Sequence, residues 1–159
     1  MNITIIALGK LKEKYLRDAV DEYAKRISAY GKLDIVELNP VRLSDNPSQT
    51  EINNALTKEA EDIKKKIPNN SYVFALCIEG KEKSSEQFAK AIDTAVLNGK
   101  SSLVFIIGSS FGMSDEIKSL ADFKLSFSPM TFPHQLMRVM LLEQIYRAFQ
   151  INTNGKYHK

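Results

Sequence analysis

Two segments of the chain, residues 72–78 (YVFALCI) and 103–107 (LVFII), are apolar at every position over the length of a β-strand. A strand with one face in water alternates apolar and polar residues, so continuous apolar runs are typical of strands covered on both faces. Patterns typical of helices separate the strand-like segments along the whole chain. This alternation predicts an α/β fold with a mostly parallel sheet between helix layers. The 159 residues contain no internal repeat or long linker, so we predict one domain spanning 1–159.

The element boundaries follow from periodicity and from capping residues. The predicted strands are 2–8, 33–36, 72–78, 103–107 and 122–127. Five helices are predicted, of which the first spans 13–29 and the last 134–151. The second begins at the capping box of residues 48–51 and runs to about 67, and the third is capped by Ser84 or Ser85 and runs to about 97. The fourth is short and begins at 114. The order of the strands in the sheet does not follow from these patterns.

The cysteine content is compatible with a reducing compartment. Cys77 is the only cysteine, so an internal disulfide is excluded. The apolar N-terminus is short and has no basic leader, so it is interpreted as a strand, and no apolar run reaches the length of a membrane span. We therefore expect a cytoplasmic protein. The net charge of +3 does not by itself indicate a nucleic-acid binder, and we interpret the lysine clusters as solvated helix ends and loops that are compatible with phosphate contacts.

Three loops leave the carboxyl ends of predicted strands, where open α/β sheets bind ligands. They are residues 79–81, the glycine-rich 108–112 and the proline-rich 128–133. Glycine allows a backbone to approach a ligand closely, and the third loop offers a stiff apolar wall for a flat ring. Ordinary turn chemistry is the alternative interpretation of each loop taken alone.

Several common chemistries have no counterpart in the sequence. Neither the dinucleotide-binding glycine motif nor the phosphate-binding loop of nucleotide hydrolases occurs, and no serine-hydrolase elbow exists. His134, His158 and Cys77 show no metal-ligand spacing, so we predict no metal site.

The last predicted helix, 134–151, is apolar on nearly all of its faces. A helix of this kind must be buried on all sides, and a partner subunit is the simplest way to bury the outer helix of a small domain. We therefore predict a homodimer. Among the polar exceptions, Glu143 and Arg147 are spaced to form an ion pair within the helix.

The segments 126–139 (SFSPMTFPHQLMRV) and 143–148 (EQIYRA), with the ending 157–159 (YHK), resemble the signature of the RlmH family, small SPOUT-class methyltransferases of the large-subunit ribosomal RNA. Length, element order and the 108–112 loop agree with this family, so the resemblance covers the whole chain. It implies a SPOUT α/β knot, in which the C-terminal segment passes through a loop. It also implies a homodimer that completes each active site, and methylation of N3 of a pseudouridine in helix 69 of 23S rRNA in the assembled ribosome.

The resemblance implies that S-adenosylmethionine is the cofactor and that it sits in the knot. The predicted cofactor-binding residues are Leu76, Gly108, Phe127, Ser128, Pro129, Met130, Thr131 and Phe132. The sequence departs from the family pattern at three positions, where Ser109, Lys156 and Cys77 stand in place of the usual glycine, proline and aspartate.

The predicted catalytic residues, all within the family's signature, are Arg147, Tyr157 and His158. N3 of a pseudouridine must lose a proton before it can accept a methyl group, so a base or a stabilised anion is required. Arg147 would hold a phosphate or the developing oxyanion, Tyr157 would stack on or orient the base, and His158 is of the residue type that titrates near neutral pH. Two alternatives stay open: a non-catalytic RNA-binding or ribosome-assembly module, and a SPOUT methyltransferase acting on tRNA.

Overall fold

A computed structural model describes all residues, 1–159, as five strands and five helices in strict alternation. The strands are β1 (Asn2–Leu8), β2 (Lys32–Leu38), β3 (Ser71–Glu82), β4 (Ser102–Ile107) and β5 (Phe123–Ser126). The helices are α1 (Lys14–Ile27), α2 (Gln49–Lys66), α3 (Ser85–Leu97), α4 (Asp115–Leu120) and α5 (His134–Asn152). Serine residues with complete capping boxes open two of the helices, Ser48 before α2 and Ser84 before α3.

All strands are parallel, in the order β2-β1-β4-β3-β5. β4 lies between β1 and β3 and is buried at every position, as its continuous apolar sequence predicts. One core cluster joins the sheet to α1, α3 and α5, and a second joins the opposite face to α2 and α4. The predicted α/β architecture, a parallel sheet between helix layers, is confirmed.

β3 is longer than predicted, and the difference affects the first of the three predicted loops. Residues 79–81 do not form a loop after a finished strand, because β3 continues to Glu82 and pairs with β5 after an irregularity between Leu76 and Lys81. A Cβ atom on Gly80 would lie 2.6 Å from the carbonyl oxygen of Lys124, so the absence of a side chain allows this close pairing. The polar sequence of residues 79–82 concealed the extension.

α5 lies between α1 and α3 on one face of the sheet. Leu141, Leu142 and Ile145 on its inner side are fully buried. Its outer side carries Leu136, which is 39% exposed, followed at helical spacing by partly buried Met140. Neighbouring helices thus flank α5, and most of its residues outside the inner side stay partly exposed. We call the line of Leu136 and Met140 the outer stripe of α5. None of the helices combines the length and the hydrophobicity that a bilayer crossing requires.

Candidate functional site

A cavity of about 740 Å³ lies at the carboxyl ends of β4 and β5, beside the irregular middle part of β3. It is bounded by residues 76–79 of β3, the loop 107–113 after β4 and the segment 125–134 after β5, together with Met137 of α5. Ligand sites in proteins commonly have this size and this place in an α/β sheet. The structure therefore brings the second and third predicted loops together around one space with residues 76–79 of β3.

The loop after β4 is a tight turn closed by two reciprocal backbone hydrogen bonds. The N–H of Ser109 donates to the carbonyl oxygen of Gly112 at 3.0 Å, and the N–H of Gly112 donates to that of Ser109 at 2.8 Å. A Cβ atom on Gly108 would collide with the carbonyl oxygen of Gly112. Gly108 is therefore required for the closure of the loop itself, in addition to lining the cavity.

A buried glutamate supports this loop from the side away from the cavity. Glu59 of α2 is 4% exposed and accepts hydrogen bonds from the Ser109 hydroxyl at 3.0 Å and from the N–H of Val41 at 2.9 Å. Ser109 has a negative φ, so the serine found here in place of the family's usual glycine fits the loop without backbone strain.

Side-chain hydrogen bonds stiffen the segment after β5. The Ser126 hydroxyl donates to the carbonyl oxygen of Ser128 at 3.1 Å, and the Ser128 hydroxyl accepts from the N–H of Met130 at 3.0 Å. The backbone N–H groups of Thr131 and Phe132 donate to no acceptor within the chain. They are available to a ligand in the cavity.

Two oppositely charged side chains, Glu79 and Lys118, pair on the cavity wall. The hydrogen bond between them lowers the pKa of Glu79 and raises that of Lys118. His134, at the start of α5, also lines the cavity, and its pKa is lowered mainly by burial, with further contributions from the charges of Arg138 and Lys12. We therefore expect a neutral imidazole at this position near pH 7.

Seven of the eight predicted cofactor-binding residues line this cavity: Leu76, Gly108, Phe127, Ser128, Met130, Thr131 and Phe132. Pro129 does not. It sits at the tip of the segment between Ser128 and Met130, and its ring stiffens the turn without facing the space.

The three predicted catalytic residues form a second cluster, at the C-terminal half of α5. The tail folds back, so that Tyr157 packs edge-on against Tyr146 with ring centroids 4.9 Å apart. The Arg147 guanidinium lies 4.7 Å from the centre of the Tyr157 ring and 3.2 Å from Nδ1 of His158. The C-terminal tail is therefore held against α5 by aromatic and cation–π packing.

Glu143 and Glu86 hold this cluster in place. Glu143 pairs with Arg147 at 2.5 Å, as the spacing within the helix predicts. The Glu143 carboxylate also accepts a hydrogen bond from the Tyr157 hydroxyl at 3.1 Å. Burial, followed by that hydrogen bond, raises the pKa of Tyr157 to about 12. Nε2 of His158 lies 2.7 Å from Glu86, and this contact lowers the pKa of the Glu86 carboxyl to about 2.

Within one chain the cavity and the C-terminal cluster are separate. No residue beyond Met137 lines the cavity. Glu143 and Arg147 are six and ten residues further along α5, about 9 to 15 Å along the helix axis at the usual rise per residue.

Sequence reasoning missed Glu59, the Glu79–Lys118 pair and the pairing partner of Arg138. Arg138 is 1% exposed and pairs with Glu37 of β2 at 2.6 Å. An arginine without an acidic residue at helical spacing in an apolar helix could have signalled a buried ion pair with another element. No local pattern distinguishes Glu59 from the exposed acids around it in α2.

The family described as "Predicted SPOUT methyltransferase" matches residues 1–158. The chain belongs to the SPOUT methyltransferase family. This membership confirms the resemblance drawn from the C-terminal segments, and it confirms S-adenosylmethionine as the cofactor at the level of the family.

Two relatives match along the full length of both chains. They are the ribosomal RNA large subunit methyltransferase H of Clostridioides difficile, with 53% identity, and the ribosomal RNA large subunit methyltransferase H 1 of Clostridium perfringens, with 52%. Among solved structures, a methylase-family protein of Haemophilus influenzae Rd KW20 is similar with a TM-score of 0.53 and 13% identity, over 99% of this chain and 70% of that one. At that identity the likeness supports the fold alone.

The residues around the cavity fit S-adenosylmethionine by their chemistry. Phe127, Met130 and Phe132 offer apolar surface to a flat purine ring, and the free N–H groups of Thr131 and Phe132 can meet its polar edge. The paired charges of Glu79 and Lys118 suit the zwitterionic methionine portion of the cofactor.

Proposed function

We propose that this protein is a methyltransferase of the large-subunit ribosomal RNA that methylates N3 of a pseudouridine in helix 69 of 23S rRNA in the assembled ribosome. The observation that carries the proposal is the cavity between the middle of β3 and the carboxyl ends of β4 and β5, in a chain matched by the SPOUT family from residue 1 to 158. The names of the full-length relatives support a ribosomal RNA substrate. The position of the methylated atom and the rRNA helix rest on the C-terminal resemblance.

The proposal includes a single cytoplasmic domain over 1–159 whose C-terminal segment is knotted, and which works as a homodimer. Apolar side chains exposed around the cavity support the dimer. Ile78 is 50% exposed, Phe111 48%, Met130 72% and Leu136 39%. An apolar rim of this kind is typical of a surface covered by another protein, and the outer stripe of α5 adjoins it.

S-adenosylmethionine supplies an electrophilic methyl group, so transfer requires no metal. The structure has no cluster of three metal-ligating side chains. The residues of the chain have three tasks: to hold the donor in the cavity, to orient the target base and to take the proton from N3. The stiffened segment from Ser126 to Phe132 serves the first task.

Arg147, Tyr157 and His158 serve the other two tasks in this proposal. A phenol with a pKa of about 12 stays protonated at neutral pH, so Tyr157 orients the base or donates to it, and does not take the proton. Both ring nitrogens of His158 are engaged, one by Arg147 and the other by Glu86. Arginine only donates, so Nδ1 of His158 accepts from Arg147 and Nε2 donates to Glu86. His158 can therefore act as the base only when its contact with Arg147 opens.

The distance between the cavity and the tail supports a site built across the dimer. If the tail of one subunit reaches the cavity of its partner, Arg147, Tyr157 and His158 meet the methyl donor without any rearrangement of α5. The dimer would then be required for activity as well as for burial of the outer stripe of α5.

A methyl-transfer assay on assembled ribosomes, isolated large subunits and free 23S rRNA tests the proposed function. We expect transfer to ribosomes, with the methyl group mapped to N3 of the pseudouridine. Tight cofactor binding together with transfer to tRNA alone would favour the tRNA enzyme. The absence of any cofactor binding would favour a non-catalytic RNA-binding module.

A further inference from the structure

The loop between β1 and α1, residues 9–13, carries two exposed lysines that have no acidic partner. Lys10 and Lys12 are exposed and take part in none of the ion pairs of the chain. Lys14, the next lysine, is already paired with Asp18 at 2.6 Å. We call residues 9–13 the basic loop.

The basic loop is fixed to the first turns of α5. The buried Arg138 donates to the carbonyl oxygen of Gly9 at 3.1 Å, and the N–H of Lys12 donates to Oε1 of Gln135 at 3.1 Å. The guanidinium of Arg17 donates to the carbonyl oxygens of Leu11 at 3.2 Å and Lys12 at 2.8 Å. Side chains from two helices therefore hold the backbone of this exposed loop in one conformation.

These contacts place the basic loop beside the cavity. His134 lines the cavity, and a Cβ atom on Gly9 would lie 3.3 Å from Nε2 of His134. The charge of Lys12 also contributes to the lowered pKa of His134, in agreement with this placement.

We propose that the basic loop is a binding surface for the RNA backbone, with Lys10 and Lys12 contacting phosphates next to the nucleotide that enters the cavity. This inference rests on the proposed function. Phosphate contacts fix the position of a nucleic acid without reading its sequence, so they need cations at fixed places beside the site. Unpaired lysines on a rigid loop supply that arrangement.

Two other groups of lysines, at residues 64–66 and at Lys83, lack this arrangement. Lys64 pairs with Glu116 at 2.6 Å, and Lys65 and Lys66 end α2 at the edge of the sheet where the strands begin, opposite the cavity. Lys83 lies 4.5 Å from the centre of the Phe123 ring and packs there.

The test compares the double variant Lys10→Ala, Lys12→Ala with the matched control Lys65→Ala, Lys66→Ala, which loses the same charge at the opposite edge. Calorimetry with S-adenosylmethionine should give wild-type affinity for both proteins. Co-sedimentation with ribosomes should show a dissociation constant raised about tenfold or more for the first variant at physiological salt. The slope of log affinity against log salt should fall by about 1 to 2, since each phosphate contact contributes about 0.7 to 0.9.

Methyl-transfer kinetics on ribosomes provide the second measurement. The Lys10, Lys12 variant should have a raised KM with kcat little changed. Wild-type affinity and salt slope in that variant, or an equal loss in the control, would overturn the inference. A wild-type protein that binds ribosomes but transfers no methyl group would overturn the proposed function, while co-sedimentation would still decide the role of the basic loop.

Discussion

The hydroxyl of Ser109 donates a hydrogen bond across 3.0 Å to the buried carboxyl group of Glu59, which joins the loop after β4 to helix α2. The other oxygen of that carboxyl group accepts from the backbone of Val41, in the segment between β2 and α2. One side chain thus connects the loop after β4 to the segment between β2 and α2. The conformation of the cavity wall consequently depends on a residue that does not line the main cavity.

Replacement of Glu59 by alanine should destabilise the fold and weaken cofactor binding. The change leaves the Val41 N–H and the Ser109 hydroxyl without a buried acceptor, which costs about 1 to 3 kcal/mol for each buried group that stays unpaired. Urea unfolding and calorimetry with S-adenosylmethionine measure the two effects. The control is Glu61→Ala, the same substitution at an exposed position of the same helix. Equal behaviour of the two variants would rule out the supporting role of Glu59.

Gly108→Val should abolish measurable cofactor binding. A side chain at this position meets the Gly112 carbonyl group, so the tight turn after β4 cannot close. Gly99→Ala is the control, because Gly99 has a φ of +83° and no atom lies within 4 Å of the place that a Cβ would take. That control should lose about 1 kcal/mol of stability through backbone strain and keep its affinity. Calorimetry showing wild-type affinity for Gly108→Val would place the cofactor elsewhere.

Sedimentation at micromolar concentration should give about twice the mass of one chain. The proposed interface includes the outer stripe of α5, where Leu136 is 39% exposed. Leu136→Lys should shift the equilibrium toward monomer with little change in the unfolding of each chain, because the side chain is not in the core. Leu97→Lys serves as the control, since Leu97 is 78% exposed at the end of α3 and away from α5. A wild-type monomer would leave the outer stripe of α5 unexplained.

Deletion of residues 156–159 should leave dimerisation and cofactor affinity nearly intact while methyl transfer to ribosomes collapses. The tail packs on the C-terminal half of α5 and contributes no residue to the cavity of its own chain. Heterodimers of this deletion with a Gly108→Val chain should recover about half of a dimer's activity if sites are built across subunits. Verified heterodimers without recovery would mean that each tail serves its own cavity, or neither.

Alkaline pH should release the tail. The pKa of Tyr157 is raised in the folded protein to about 12, above the value of about 10 for a free tyrosine. The contribution of the neutral phenol to stability is therefore complete below about pH 10 and is lost as the pH rises through about 12. Ultraviolet difference titration of the wild type against Tyr157→Phe should show one late-ionising tyrosine. A difference spectrum centred near pH 10 would contradict the burial of this hydroxyl.

The sequence predicted the features that depend on local patterns. The bounds of β1 and of the continuously apolar β4 were predicted almost correctly, because strands buried on both faces consist mainly of apolar residues. Seven of the eight residues proposed for the cofactor line one cavity, because the carboxyl ends of parallel strands meet at one edge of a sheet.

Features that depend on distant contacts could not be predicted. The strand order, the extension of β3 to Glu82 and the folded tail all arise from pairings between segments far apart in sequence. In the sequence, Tyr157 belongs to a polar tail, and only the structure shows that Tyr146 and Glu143 lie beside it. Which acid of α2 is buried is likewise decided by the loop that packs against the helix.

The central position of β4 in the sheet affects how the chain folds while it is being synthesised. β1 pairs with β4 in a register that joins Asn2 to Ser102, so one edge of the first strand stays open until about a hundred residues have followed it. Contacts of such sequence separation slow folding, and an open apolar edge favours aggregation. We therefore expect the emerging chain to need shielding during translation, and the cavity to form only after the chain as far as Met137 has left the ribosome.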